Sequence, residues 1–357
     1  MKRVLICLAA LCLAAAAQDK VVGGPYVVNA TGRSATVGWI VQVGEARAGA
    51  DAAKPSHTSP VLESRKVSFT GLPVGQTIHY DVLNGREEGK GTFKTPAAAG
   101  TPFEAVVFGD TRTRHELHRK VIGAIMEKSQ AEVAIHTGDL VSDGFDTAQW
   151  PLFFDIERPL LKKMAFFPVL GNHERGNYKY YDFFEVQSPY YSFNWGDAHF
   201  VILNTDVGNA AMSSDARAKF WDEQTRWLEE DLARSQKAPF RIVVMHHPPF
   251  SATARRQGGG GNVFARGLIP LFEKYKVQFV FTGHDHNYQH HEFLGVHYVV
   301  TGGGGAPLYP VDGSLDGITK KVVMTEHFVR LKVNAQSCSV EALGLDGAVL
   351  DHFDVKP

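Results

Sequence analysis

The chain has 357 residues, 44% of them hydrophobic, enough to bury a full core in one large domain or in two. Lys plus Arg number 37 against 38 for Asp plus Glu, so no basic field favours nucleic acid or an anionic membrane surface, and charge names no partner. The first residues, MKRVLICLAALCLAAAAQDK, join a basic start to an apolar stretch too short to span a bilayer. With Ala15 and Ala17 in a small-x-small arrangement, they read as a cleavable signal peptide over residues 1–17. Leu11 stands before Cys12 where a lipoprotein signal wants a small residue, so no lipid anchor is expected. Cys7 and Cys12 fall in this segment and leave Cys338 alone in the mature chain, which excludes an internal disulfide there. No later apolar run reaches transmembrane length, and a soluble protein exported to the periplasm or the medium is the expectation.

From Pro25 to Thr95 the pattern is all β. SATVGWIVQV alternates around Trp39, RKVSFTGL follows, and QTIHYDVLNG precedes KGTFKTP, with Gly, Pro and Asn supplying turns at short spacing. A small all-β sandwich domain over 20–96 is predicted, then a Pro-, Ala- and Gly-rich linker at 97–102. The rhythm changes after the linker. FEAVVFGD reads as a buried strand, LHRKVIGAIMEKS as a helix with Val121, Ile122, Ile125 and Met126 on one face, and EVAIHTGD as a second strand, which together make a βαβ crossover. Strands and helices go on alternating through FVFTGHDH, so residues 103–357 are predicted to form an α/β domain. From Val296 to Val355 β signals return and are read as the far sheet of that same domain. The glycines at 258–261 and 302–305 lack a following Lys-Ser/Thr and are read as flexible turns, not phosphate-cradling loops.

Each polar cluster of interest follows an apolar strand. Asp110 ends VVFGD, Asp139 ends AIHTGD, Asn172 and His173 end FPVLGNH, His246 and His247 end IVVMHH, and His284 and His286 end FVFTGHDH. Ligands of open α/β sheets bind outside the carboxyl ends of the strands, so these distant stretches are expected to converge there. Carboxylate, amide and imidazole are a hard-to-borderline donor set that suits Mn, Fe, Zn or Co. Imidazoles ligate when neutral, and the second ring nitrogen then needs an outer partner such as Asp285 or a main-chain carbonyl.

In order along the chain, FGD, TGDL, GNHE, MHHPP and GHDH resemble the blocks of the calcineurin-like metallophosphoesterases. The β-rich segment in front looks like the arrangement of purple acid phosphatases, and Leu72, Gly75 and Tyr80 in GLPVGQTIHYDV resemble the inter-sheet corner of fibronectin type III-like domains. The resemblance implies a four-layer αββα sandwich that holds two metal ions, Fe, Mn or Zn. Its implied activity is hydrolysis of small-molecule or macromolecular phosphate esters by in-line attack of a metal-activated water. By the same resemblance Asp139 bridges both metals, Asn172, His246 and His284 complete one site, and Asp110 and His286 serve the other. His173 is implied to face the phosphate and to protonate the leaving oxygen or steady the developing charge.

One block departs from the family. Members supply a further first-site ligand, a His two after the first Asp or a Tyr three after the second, and Arg112 and Ser142 stand at those positions. Either water, His115 or His118 fills the gap, or that metal is weakly held. Arg112 is suited either to the substrate phosphate or to a structural ion pair. The stretch SATARRQGGGGN, residues 251–262, follows the His246 strand and carries Arg255 and Arg256, which with His247 are candidates for substrate binding. The competing reading is a non-catalytic metal-binding or scaffold protein that keeps the fold.

Overall fold

A computed structural model describes residues 20–51, 53–207, 212–253, 261–311 and 313–357. The expected signal peptide, with Cys7 and Cys12, lies outside the described residues, as do Arg255 and Arg256. The N-terminal part is β only, with β1 (Lys20–Val28), β2 (Ser34–Ala48), β3 (His57–Thr70), β4 (Thr77–Asp81) and β5 (Lys90–Lys94). Alternation begins with β6 (Phe103–Phe108), α1 (His115–Lys128), β7 (Val133–His136), α2 (Gln149–Leu161) and β8 (Ala165–Pro168). It continues with α3 (Tyr178–Phe184), β9 (Tyr191–Trp195), β10 (Ala198–Ile202), α4 (Ser214–Arg234), β11 (Phe240–Val244), α5 (Val263–Gly267), α6 (Ile269–Lys274) and β12 (Phe279–Thr282). The last strands are β13 (Tyr288–Phe293), β14 (Val296–Thr301), β15 (Thr319–Val323), β16 (His327–Asn334), β17 (Ser337–Gly344) and β18 (Val349–Val355).

Two large sheets carry the molecule. One has nine strands in the order β18-β17-β16-β6-β7-β8-β1-β2-β3, the other seven in the order β15-β13-β14-β12-β11-β10-β9, and β4 pairs with β5 apart from both. The strands that lead to the strand-end motifs run parallel, β6 with β7 and β8 in one sheet and β10, β11, β12 and β14 in the other. All their carboxyl ends within a sheet therefore open on the same side.

Strand alternation sorts the side chains into layers. Val107, Ile135 and Phe167 from one sheet meet Phe200, Ile242 and Phe281 from the other in a core between the sheets. Val106, Phe108, Ala134 and Phe166 point the other way and are covered by Val121, Ile122 and Ile125 of α1 and Phe153 and Phe154 of α2. On the opposite face Leu228 and Leu232 of α4 and Phe272 of α6 cover Val201, Val243 and Val280. Helix, sheet, sheet, helix is the four-layer αββα sandwich that the sequence implied. Cys338 is a free thiol buried in the inter-sheet core, where burial pushes its pKa up.

Two features differ from the sequence reading. The β-rich C-terminal stretch does not form a single far sheet: β14 and β15 belong to the seven-stranded sheet, while β16 pairs antiparallel with β6 and extends the nine-stranded one through β17 and β18. The reason is apolar alternation along β16, which gives its Val329, Leu331 and Val333 to the inter-sheet core beside Val107. The glycines 302–305 are buried and not flexible turns. A Cβ on Gly302 would lie 2.3 Å from the Asp285 carbonyl oxygen and one on Gly304 would lie 2.2 Å from that of Gly109, so the run is glycine because main chains touch there.

The N-terminal strands are joined closely to the rest. β1 pairs in parallel with β8 at Val27 and Ala165, and Val27, Val37, Tyr80 and Phe93 share the inter-sheet core. The Tyr80 hydroxyl donates to the Lys162 carbonyl just beyond α2, at 3.3 Å.

Candidate metal centre

Asp110 follows β6, Asp139 follows β7, Asn172 and His173 follow β8, His246 and His247 follow β11, and His284 and His286 follow β12, so each strand delivers its motif to the same end of the sandwich. Asp110, Asp139 and His284 take left-handed backbone angles, with φ of 60°, 58° and 68°. Such angles are uncommon outside glycine and persist only where the surroundings impose them. Each follows a glycine, and Gly283 shows why: a Cβ there would lie 2.4 Å from Asp110 Oδ2. Its absence lets the His284 N–H reach both Asp110 carboxylate oxygens, at 3.1 and 3.0 Å.

The donor atoms face one another. His286 Nε2 lies 3.4 Å from Asp110 Oδ1, and His246 Nε2 lies 3.4 Å from Asp139 Oδ1 and 3.1 Å from Asn172 Oδ1. Potential ligand atoms of Asp110, Asp139 and His246 all fall within 4.8 Å of one another, and so do those of His246, His247 and His284. Both groups contain His246, so Asp110, Asp139, His246, His247 and His284 form one continuous cluster, which Asn172 joins through His246, His286 through Asp110 and His173 through Asp139.

The imidazoles are oriented by main-chain carbonyls. His246 Nδ1 donates to the Thr137 oxygen at 2.8 Å, His286 Nδ1 to that of Pro307 at 2.7 Å, and His173 Nδ1 to that of Ser142 at 2.7 Å. With Nδ1 carrying the proton, Nε2 of His246 and of His286 presents its lone pair to the carboxylate cluster, the tautomer a metal ligand needs. The Tyr309 ring stacks on His286 with centroids 4.0 Å apart. Of the two outer partners open from sequence, the carbonyls serve these rings. Asp285 is turned elsewhere, taking hydrogen bonds from Ser251 Oγ and from Gln289 Nε2 at 3.4 Å.

Electrostatics mark the cluster as a place for cations. Burial opposes ionisation of Asp110, yet the His286 imidazole, the charge of His246 and the His284 N–H together outweigh it and hold the carboxyl below its ordinary pKa. Burial likewise opposes a charged His246, but the Asp139 and Asp110 carboxylates overcome it and raise the imidazole pKa. Carboxylates that draw a proton onto a buried imidazole are equally suited to a metal ion, and carboxylate, amide and neutral imidazole are its natural donors.

Arg112 Nε lies 3.5 Å from Asp139 Oδ2, buried and without a hydrogen-bond partner. Ser142 cannot reach inward, because its hydroxyl donates to the Arg112 carbonyl at 2.7 Å. His118 is removed as the gap-filling ligand: its Nε2 lies 2.6 Å from Glu157 Oε1 in a buried pair between α1 and α2. His115 is exposed on the first turn of α1 and is not in either convergent group. His173, its side chain 30% exposed, keeps Nε2 3.8 Å from Asp139 Oδ2 and within reach of solvent.

Two supporting residues escaped the sequence reading. Glu174 is fully buried and accepts from four main-chain N–H groups, those of Asp139, Leu140, Val141 and Gly171, at 2.7–3.2 Å. It ties the loop bearing Asp139 to the loop bearing Asn172, and burial together with the Asp139 charge pushes its pKa up to about 8. Thr205, at the end of β10, places its hydroxyl 3.0 Å from His247 Nδ1. A single sequence offers little sign of either beyond an acidic residue next to Asn-His and a polar one after an apolar strand.

The fold and the cluster define a two-sheet αββα protein with a carboxylate- and histidine-rich candidate metal site at the strand ends. Residues 104–288, just over half of the chain, match the family described as Calcineurin-like phosphoesterase. The chain belongs to that family. It is 26% identical over 278 residues to purple acid phosphatase 21 of Arabidopsis thaliana, covering 70% of this chain and 61% of that protein. It is also 26% identical over 206 residues to acid phosphatase type 7 of Mus musculus, covering 51% of this chain and 46% of the mouse protein. The chain thus spans less than two thirds of the length of these curated relatives. Among solved structures, a purple acid phosphatase from yellow lupin (Lupinus luteus) seeds aligns with TM-score 0.71 at 19% identity, over 93% of this chain and 74% of the lupin chain, which is a likeness of fold.

Proposed function

We propose that the chain is an exported hydrolase of phosphate esters that works at a centre of two metal ions, Fe, Mn or Zn. The observation that carries this reading is the convergence of Asp110, Asp139, Asn172, His246, His284 and His286, with the Nε2 atoms of His246 and His286 turned to the carboxylates. By the family resemblance Asp139, whose Oδ1 faces His246 and whose Oδ2 faces Arg112, would be the ligand shared by both metals. Asn172, His246 and His284 would hold one metal, and Asp110 and His286 the other. When bound, the metals would lower the pKa of water and polarise phosphoryl oxygens.

The chain's own groups do the rest. His173, fixed at Nδ1 by the Ser142 carbonyl, holds a proton on Nε2 toward the leaving oxygen. The Arg112 guanidinium binds a phosphate oxygen beside the metals, and His247, with Arg255 and Arg256, extends the substrate contact. Residues 20–96 form an N-terminal fibronectin type III-like unit, 97–102 its linker and 103–357 the catalytic part, behind a signal peptide at 1–17. The curated relatives named acid and purple acid phosphatases support the reaction class.

The protein should release nitrophenol from p-nitrophenyl phosphate with added Mn and stop when chelated, and Asp139→Asn should lose metal and turnover together while staying folded. Unchanged turnover in that variant refutes the two-metal reading. A second reading, a metal-binding scaffold without catalysis, is favoured by one observation: the cation of Arg112 beside Asp139, where the family places a ligand. Two bound metals with no hydrolysis of any mono- or diester would establish it.

A further inference from the structure

The nine-stranded sheet ends on β3, and no strand lies beyond it among the described residues. An edge strand offers its outer main-chain N–H and C=O groups to another chain unless something guards them. Along β3 the side chains alternate between two faces. Leu62 packs against the helix-covered core, and Lys66 Nζ meets Asp182 Oδ1 of α3 at 3.2 Å on that same face. Val61, Glu63, Arg65 and Val67 point the other way and are all exposed, the two valines by 42% and 37%.

Their order is self-complementary about Ser64. Two copies of β3 laid antiparallel around a twofold axis at Ser64 set Val61 opposite Val67 of the other copy and Glu63 opposite Arg65, each contact occurring twice. Apolar and opposite-charge pairs across a ladder stabilise it, and like charges directly opposite destabilise it. The neighbouring registers that keep the exposed faces on one side are centred on Glu63 or on Arg65, and each sets like charges face to face. Pro60, which has no N–H to give, bounds the paired stretch at both ends. In the single chain Arg65 Nη2 and Glu63 Oε2 pair along the strand at 2.8 Å, and the same groups can be exchanged between copies.

We propose that the β3 edge is a homodimer interface, with two copies joined through Val61–Val67 into one continuous sheet. A ladder this short is a small contact, so the dimer is reversible. The inference goes beyond the hydrolase reading and does not depend on it, because its readout is mass and not turnover.

Sedimentation equilibrium of the full chain over a concentration series should show monomer and dimer in exchange. Glu63→Arg and Arg65→Glu each place like charges opposite one another twice per dimer and should weaken association at least about tenfold. The two substitutions together restore the opposite pairs and should return it to within about threefold of the parent. These side chains are exposed, so all three variants should keep the parent melting temperature. On oxidation Val61→Cys with Val67→Cys should form an intermolecular disulfide, whereas Val61→Cys alone should not, because its sulfur meets Val67 of the other copy. A parent that stays monomeric throughout, a double charge swap no tighter than the single ones, or cross-linking by Val61→Cys alone as readily as by the pair overturns the interface.

Discussion

Removing His118 separates structure from metal chemistry. His118 Nε2 and Glu157 Oε1 are 2.6 Å apart, with both side chains at most 1% exposed. Glu157 Oε2 has no hydrogen-bond partner, so the imidazole is the main support of a buried carboxylate. His118→Ala strands that carboxylate, and breaking a buried pair from one side costs about 3–5 kcal/mol, a large share of the stability of an ordinary domain. The cost has a signature in pH. Burial raises the Glu157 pKa above its ordinary value even with His118 present, and without it the folded protein holds that proton more tightly than the unfolded chain. Stability of the variant is then best at acid pH and falls as pH rises through the folded pKa, so the deficit against the parent should be greater at pH 8 than at pH 5. His118→Leu with Glu157→Leu removes both polar partners and should recover much of the loss. Urea denaturation measures the stability, and elemental analysis of the same samples measures metal, which should be unchanged. A deficit under about 1 kcal/mol refutes the pairing argument, and loss of a metal equivalent in His118→Ala would return His118 to the ligand set.

Gly283→Ala places a Cβ 2.4 Å from Asp110 Oδ2 and 2.7 Å from Thr137 Oγ1, which should cost about 1–3 kcal/mol and weaken metal retention; an unperturbed variant would show that the loop yields freely. Glu174→Gln replaces one acceptor oxygen with an amide donor, so two of the main-chain N–H groups lose their partner at about 1–3 kcal/mol each, with relief of repulsion toward Asp139 offsetting part. Metal retention should fall with it, and a variant that keeps full metal content and stability contradicts the tie between the two loops. Burial lowers the pKa of His136 to about 3 and those of His291 and His327 to about 4, below the ordinary value of 6.5. The stability these neutral rings contribute is present above about pH 6.5 and lost below it, by about 1.4 kcal/mol each at pH 5.5. Urea denaturation at pH 8 and pH 5.5 should show that loss, and His136→Gln should shrink it by about one ring's share; no change would mean that His136 is not held neutral.

The cluster was legible in sequence because each of its pieces is local. A short apolar strand, a glycine and a candidate ligand recur at Asp110, Asp139 and His284, and parallel pairing of the strands brings those ends together without further instruction. What stayed hidden depends on contacts between distant residues. Glu157 carries no signal in the sequence until α1 sets His118 against it, and Glu174 is only an acidic residue next to Asn-His until four main-chain donors close on it. Glycines 302–305 have the composition of a flexible turn, and only the three-dimensional packing shows main chain pressed on main chain. The parallel join of β1 to β8 is of the same kind: local β propensity predicts the strand but not its neighbour. Arg255 and Arg256, the expected substrate-binding pair, lie outside the described residues.

The departure at Arg112 links metal and substrate on the proposed reading. Asp139 has a guanidinium nitrogen 3.5 Å from Oδ2 and an imidazole nitrogen 3.4 Å from Oδ1, so a cation of the protein already stands at one face of the carboxylate meant to bridge two metals. Two divalent ions outweigh the Asp110 and Asp139 carboxylates, and Arg112 adds to that excess, which disfavours the metal nearest to it. A phosphate dianion relieves both repulsions at once, by accepting from the guanidinium and lying between it and the metals. Reciprocity then requires that whatever phosphate gains from the metals, the metals gain from phosphate. Competition with a chelator should therefore show tighter metal retention when inorganic phosphate is present, with the gain concentrated in the more weakly held equivalent. Arg112→Ala should bind that metal more tightly without phosphate and gain less when phosphate is added. A gain of equal size in parent and variant would mean that the arginine does not meet the phosphate and serves Asp139 alone.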